Sequence, residues 1–286
     1  MKAGLAVKNK QHDAYQVVPY PKIQRLLGFL LRSLQRKPMF HFLLEVDVTR
    51  PRAFLREHKA NTGEALSFTA FLIVCLGKAV DENKAVQAYR QGRKQLVIFD
   101  EVDVETQIER ESAGHVQNIT HIIRAANRKT LREIHHEIRA AQVEDVEKAL
   151  ERFKALQWLL FLPPLLSRFP SWMRRYPHVL KKYGGTVGTA TVGMFEEGAG
   201  WVIPIGHPQT LMMTVGGIGV KPGVVDEHIA IREYLSLTIS FDHEIINGAP
   251  AARFTRRLKE LIEHGYGLIE QEGELSEHLP APDSSR

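Results

Sequence analysis

The chain has one cysteine in 286 residues, Cys75. A lone cysteine excludes an intrachain disulfide framework, which fits a reducing compartment. Its setting in Phe71-Leu72-Ile73-Val74-Cys75-Leu76 points to a buried thiol rather than a nucleophile. No uncharged apolar run reaches the roughly 18 residues that a membrane-spanning helix needs, so no span is expected. The first residues carry charge without an apolar segment, so no signal peptide is expected and the protein is assigned to the cytoplasm. No internal stretch rich in proline, glycine or serine divides the chain, which points to one large domain. The net charge is +5, but the basic residues are spread and no motif interleaves them with aromatics, so nucleic acid is not an expected partner. That surplus suits a small phosphorylated ligand, and solubility accounts for it equally well.

Other signals are thin. Gly216-Gly217-Ile218-Gly219 resembles a phosphate-binding loop, yet it lies between strand-like segments and opens no helix, so a turn is expected. His135 and His136 are adjacent and diverge by about 100° on a helix, so no metal site is expected there. Most of the 13 histidines are expected at the surface.

The segment that carries chemistry is Ser240-Phe241-Asp242-His243-Glu244-Ile245-Ile246-Asn247-Gly248. Before it, residues 234–240 alternate as a buried strand does. After it, Ala251, Phe254, Leu258, Leu261 and Ile262 share one face of a helix. His243 therefore sits in a strand-to-helix turn, where a neutral imidazole is well placed to take a proton. Asn247-Gly248 supplies a residue pair that tolerates a sharp bend. Taken alone, the segment reads more readily as a hairpin-like turn with a surface histidine.

The block from Gly193-Met194-Phe195 through Phe254 resembles the catalytic core of the dihydrolipoyl acyltransferases, the acyl-transferring subunits of 2-oxoacid dehydrogenase complexes. That family shares its fold with chloramphenicol acetyltransferase. Its signature His-x-x-x-Asp-Gly, with Asn also met at the Asp position, stands here as His243 to Asn247-Gly248. Three further stretches match in order: residues 38–49 as a first core strand, residues 66–79 as a helix, and residues 101–124 as a central hairpin followed by a helix from Leu131. The resemblance implies an α/β fold of the chloramphenicol acetyltransferase type, a two-layer sandwich with a mixed sheet covered by helices. It places an extension at residues 1–20, the acyltransferase-like domain at 21–268 and a polar tail at 269–286.

The resemblance also implies a mechanism. His243 would be the general base that takes a proton from a thiol, either coenzyme A or dihydrolipoamide. The thiolate would attack an acyl thioester, with coenzyme A as substrate and no covalently bound cofactor. Asn247 would brace the histidine loop. Thr191, with Thr189 next, would be the oxyanion donor, and Thr189, Asp242 and Gly248 would contact substrate. A homotrimer is implied, with the active site between subunits: His243 and Asn247 from one, the hydroxyl strand from the next.

Several features depart from the family pattern. Aligning on Gly193-Met194-Phe195 puts Ala190 where the family carries its serine or threonine hydroxyl, and strand neighbours of Ala190 face the other way. Glu244 replaces the arginine that usually follows the histidine, and Phe29 stands where the family has an arginine on its first helix. Residues of about 150–183 read as a helical insertion rich in aromatic, apolar and basic residues, expected to pack as extra helices on the core or at a subunit contact, with a membrane-surface or partner contact through 153–182 as the alternative. No lipoyl segment is expected before the core, so the thiol partner would be free or carried by another protein. The rival expectation is a catalytically weakened or inactive trimeric scaffold.

Overall fold

The computed structural model describes residues 19–20, 37–112, 115–143, 175–191 and 198–268. Residues 1–18 of the expected extension, the tail, Phe29, Gly193-Met194-Phe195 and most of the insertion lie outside the described residues.

Strand β1 (Met39–Asp47) follows Pro38, and helix α1 (Thr49–Thr62) follows it directly. The turn between them is set by Asp47, whose Oδ1 accepts from the Thr49 amide at 3.0 Å and from its hydroxyl at 2.6 Å. Gly63 ends α1 in the left-handed region, φ 78°. Helix α2 (Phe68–Glu82) is capped by Ser67, whose Oγ accepts from the Ala70 amide at 3.2 Å. Its run of apolar residues is buried on nearly all sides, with Cys75 inside it. A small hairpin, β2 (Tyr89–Gln91) and β3 (Gln95–Val97), precedes the central hairpin β4 (Val104–Ser112) and β5 (His115–Ile123).

Thr130 and Glu133 form a reciprocal cap at the start of α3 (Leu131–Val143). The described end of the expected insertion is helix α4 (Pro177–Gly184). Then come β6 (Val187–Thr191), β7 (Leu211–Val225), β8 (His228–Asp242) and α5 (Gly248–Glu263).

The sheet runs in the order β1-β8-β7-β6-β4-β5, parallel at β4/β6 and β6/β7 and antiparallel elsewhere. This mixed sheet backed by helices is the expected two-layer α/β fold. Alternation along the strands sorts its two faces. Val46, Val187, Leu211, Met213, Leu235, Leu237, Ile239 and Phe241 join one core with residues of α2, α3 and α5. The opposite face carries His41, Glu105, Gly188, Ala190, Thr214, Ser236, Thr238, Ser240 and Asp242, so it is polar.

One expectation is corrected. Gly216-Gly217 is not a turn but a register shift inside β7, between Val215 and Ile218. A Cβ at Gly216 would lie 2.1 Å from the Gly200 carbonyl oxygen, so the crossing segment 198–200 requires glycine there. His135 is buried, and its Nδ1 accepts from the Ser67 amide at 3.1 Å.

Candidate functional site

His243 follows the last residue of β8 and stands in the five-residue link to α5. Main-chain bonds hold this turn. The His243 amide donates to the Pro38 carbonyl at 2.9 Å, and the Ile245 and Ile246 amides donate to the Asp242 carbonyl at 3.1 and 2.9 Å. The Asp242 amide donates to Thr210 at 2.9 Å, which ties the turn to the segment entering β7. The imidazole itself is exposed, with its ring 4.7 Å from that of Phe40. A hydrogen-bonded main chain thus presents an exposed imidazole.

Under the histidine lies a charge pair that sequence reasoning missed. Lys37 Nζ sits 3.1 Å from Asp242 Oδ2, with the two side chains only 7% and 3% exposed. The same ammonium donates to the carbonyls of Pro208 at 2.8 Å and Gln209 at 3.2 Å. Asp242 Oδ1 accepts the Glu244 amide at 3.1 Å. A buried carboxylate is tolerated only with such partners. Asp242 is therefore an organiser of the turn, buried behind His243.

Asn247 is the exposed N-cap position of α5, and its side chain makes no capping hydrogen bond. Gly248 is also exposed, and a Cβ there would meet nothing within 4 Å. Glu244 pairs with Arg90 of β2 at 2.9 Å, both side chains partly exposed. Beside the turn is a small cleft lined by Lys37, Tyr89, Arg90, Asp242, Glu244 and Ile245 among others. The structure thus brings His243, Asp242, Asn247 and Gly248 to one corner of the sheet.

It does not bring the threonines there. Thr189 and Thr191 lie on the helix-facing side of β6, in alternation with Ala190. The Thr189 hydroxyl is committed to the Glu105 carbonyl at 3.0 Å. Ala190, half-buried, faces the polar side and pairs across the sheet with Thr214, which pairs in turn with Thr238.

That polar side has a second set of residues absent from the sequence reading. His41 Nδ1 and Ser240 Oγ are 2.8 Å apart, and burial lowers the His41 pKa. His207 is buried, and neither ring nitrogen has a hydrogen-bond partner among the described residues. Burial pushes its pKa down to about 3, with the Lys37 charge adding to the effect. Burial likewise raises the Glu105 carboxyl, opposed by its hydrogen bond from Gln209. The signal for these groups was long-range pairing, which a single sequence does not display.

The family model for the 2-oxoacid dehydrogenases acyltransferase (catalytic domain) matches residues 12–153 and 181–269. A dihydrolipoyllysine-residue acetyltransferase component of pyruvate dehydrogenase complex from Rickettsia typhi is 24% identical over 90% of this chain. A lipoamide acyltransferase component of branched-chain alpha-keto acid dehydrogenase complex from Bacillus subtilis is 24% identical over 81% of it. The chain spans about half the length of these relatives, 56% and 48%. Among solved structures, the Azotobacter vinelandii dihydrolipoamide acetyltransferase, studied for a serine, a histidine and an asparagine in its catalytic mechanism, superposes with TM-score 0.66. It is 19% identical and covers 89% of this chain and 94% of its own. A chloramphenicol acetyltransferase superposes with TM-score 0.50 at 13% identity, over 85% and 96% of the two chains. With the matched model covering most of the sequence, the chain belongs to the family of 2-oxoacid dehydrogenase acyltransferase catalytic domains.

Proposed function

We propose that this protein is an acyltransferase that moves an acyl group between a coenzyme A thioester and a thiol of the dihydrolipoamide kind, or another small acceptor, with His243 as general base. The observation that carries this reading is the His243 turn: an exposed imidazole on a main chain fixed by Pro38 and by the buried Lys37–Asp242 pair. A base positioned in this way contributes roughly 10² to 10⁴ in rate. The family membership and the Azotobacter relative, in which a histidine and an asparagine four positions apart were studied for the catalytic mechanism, support the assignment to His243 and Asn247.

The reading includes a homotrimer with its site between subunits. Two features support it. His243 lies five residues along the chain from Thr238, roughly 17 Å at strand spacing, too far for one imidazole and the Ala190–Thr214–Thr238 row of the same protomer to meet at one substrate atom. A neighbouring copy would supply the second half. The outer part of the β7–β8 hairpin also exposes Val220, Val224, Ile229 and Ile231, an apolar set that suits a subunit contact.

Ala190 favours a second reading, a weakened or inactive scaffold, because it removes a hydroxyl from the face that Thr189 and Thr191 do not reach. Titration with a panel of acyl-coenzyme A thioesters, with dihydrolipoamide present and free thiol followed, separates the two. Thiol release supports the enzyme; binding without release, or no binding, supports the scaffold.

A further inference from the structure

The β2–β3 hairpin stands apart from the main sheet as a two-stranded sheet of its own. Its inner side is held by a small core of Tyr89, Phe99 and Leu180, the last on α4. The Tyr89 hydroxyl also donates to the Gly185 carbonyl at 2.8 Å. On the outer side Arg90 lies directly opposite Leu96, and Ile98 is two residues further along that face. Leu96 and Ile98 are 51% and 52% exposed. Residues 89–98 contain Arg90, Arg93 and Lys94 and no acidic residue. Glu244 offsets Arg90, at 2.9 Å. Arg93 and Lys94, at the tip, are exposed and have no ion-pair partner among the described residues. Helix α4, which packs on β2, adds the exposed Lys182, likewise without an ion-pair partner among the described residues.

Glu244 directly follows His243, so the Arg90–Glu244 pair joins this hairpin to the His243 turn. Arg93 is three residues from Arg90, at most about 10 Å along the strand direction. That is close to one Debye length at physiological salt, so its charge is felt at the turn. Unpaired positive charge there raises the local concentration of an anionic partner. Exposed apolar side chains rimmed by that charge suit a protein surface better than a small ion. We propose that the outer face of the β2–β3 hairpin docks an acidic protein that carries the acceptor thiol on a flexible arm. The proposal rests on the acyl-transfer reading and deepens it: the acceptor thiol is borne by a protein rather than free. Arg93, Lys94 and Lys182 draw in and orient the carrier, and Leu96 and Ile98 give it an apolar contact. The hairpin therefore acts on capture of the carrier and leaves the chemical step unchanged.

The test uses two synthetic dihydrolipoyl-lysine peptides, one flanked by glutamates and one by lysines, with free dihydrolipoamide as the uncharged control. Wild type is expected to use the acidic peptide with a kcat/KM about tenfold above that of the basic one at low salt. The preference should shrink in about 0.5 M salt. Arg93→Glu with Lys94→Glu is expected to abolish or reverse it through KM, with kcat and turnover of free dihydrolipoamide within about twofold of wild type. Lys59→Glu, exposed on α1 beyond the far end of β1, changes charge away from the hairpin and should keep the preference. A preference that survives in the hairpin variant overturns the proposal, as does an equal loss in Lys59→Glu. A raised KM for acyl-coenzyme A in place of the peptide also overturns it, because the hairpin would then hold the coenzyme. So does a changed oligomeric state of the variant, because the hairpin would then be a contact between copies. Wild type without His243-dependent turnover of free dihydrolipoamide overturns the acyl-transfer reading and this proposal together. Turnover of the free thiol with equal use of the two peptides overturns this proposal alone.

Discussion

Replacing Lys37 by methionine isolates the buried charge pair beneath the histidine. The substitution keeps the aliphatic stem but leaves the Asp242 carboxylate, 3% exposed, with the Glu244 amide as its remaining described partner. It also removes the donor to Pro208 and Gln209. Breaking a buried pair by deleting one member costs about 3–5 kcal/mol. For a domain of this size that corresponds to a fall in Tm of about 6–20 °C. Urea unfolding at pH 7 measures it, with Lys84→Met as control. Lys84 pairs with Asp100 at 3.1 Å, but the partner is 86% exposed, so the control should move by less than about 1 kcal/mol. Lys37→Met with Asp242→Asn should recover part of the loss, because the stranded charge is gone. A Lys37→Met protein as stable as the control protein would refute the claim that this pair anchors the His243 turn.

Two further predictions test the polar face. His207, with its pKa pushed down to about 3 by burial, stays neutral where an unfolded histidine, at about 6.5, takes up a proton. Stability from this group is therefore complete above about pH 6.5 and is lost at about 1.4 kcal/mol per unit as pH falls towards 3. His207→Leu should lose about 2 kcal/mol less than wild type between pH 7 and pH 5; identical pH dependence in urea unfolding would contradict the burial. Gly216→Ala would set a Cβ 2.1 Å from the Gly200 oxygen, so it should destabilise the fold by about 1–3 kcal/mol or more, read as a lowered Tm. An unchanged Tm would mean that segment 198–200 does not cross there.

Local patterns in the sequence carried most of the fold. The alternation of residues 234–240 marked β8, which in the structure starts earlier, at His228, because its outer half is exposed and pairs with β7 alone. The helical stripe from Ala251 to Ile262 marked α5 to within a few residues. The period of two along β6 already indicated that Thr189 and Thr191 face away from Ala190. What that period could not show was the strand beside it: Thr214 comes alongside Ala190 only through the β6/β7 register. The Lys37–Asp242 pair joins residues 205 positions apart (242 minus 37), and next to Pro38 a lysine looks like a surface residue at a strand entry. Gly216-Gly217 looked like a turn because the need for glycine came from another segment, 198–200, and not from a reversal of the chain.

The central claim is that His243 is the base of an acyl transfer, and the most direct measurement compares thiol release from acyl-coenzyme A by wild type and His243→Ala, with dihydrolipoamide as acceptor. The imidazole is exposed and packs against Phe40 alone among the described aromatic rings. The variant should therefore keep its Tm and assembly while kcat falls roughly 10²- to 10⁴-fold. Equal thiol release by the two proteins would remove His243 from the mechanism and contradict the account.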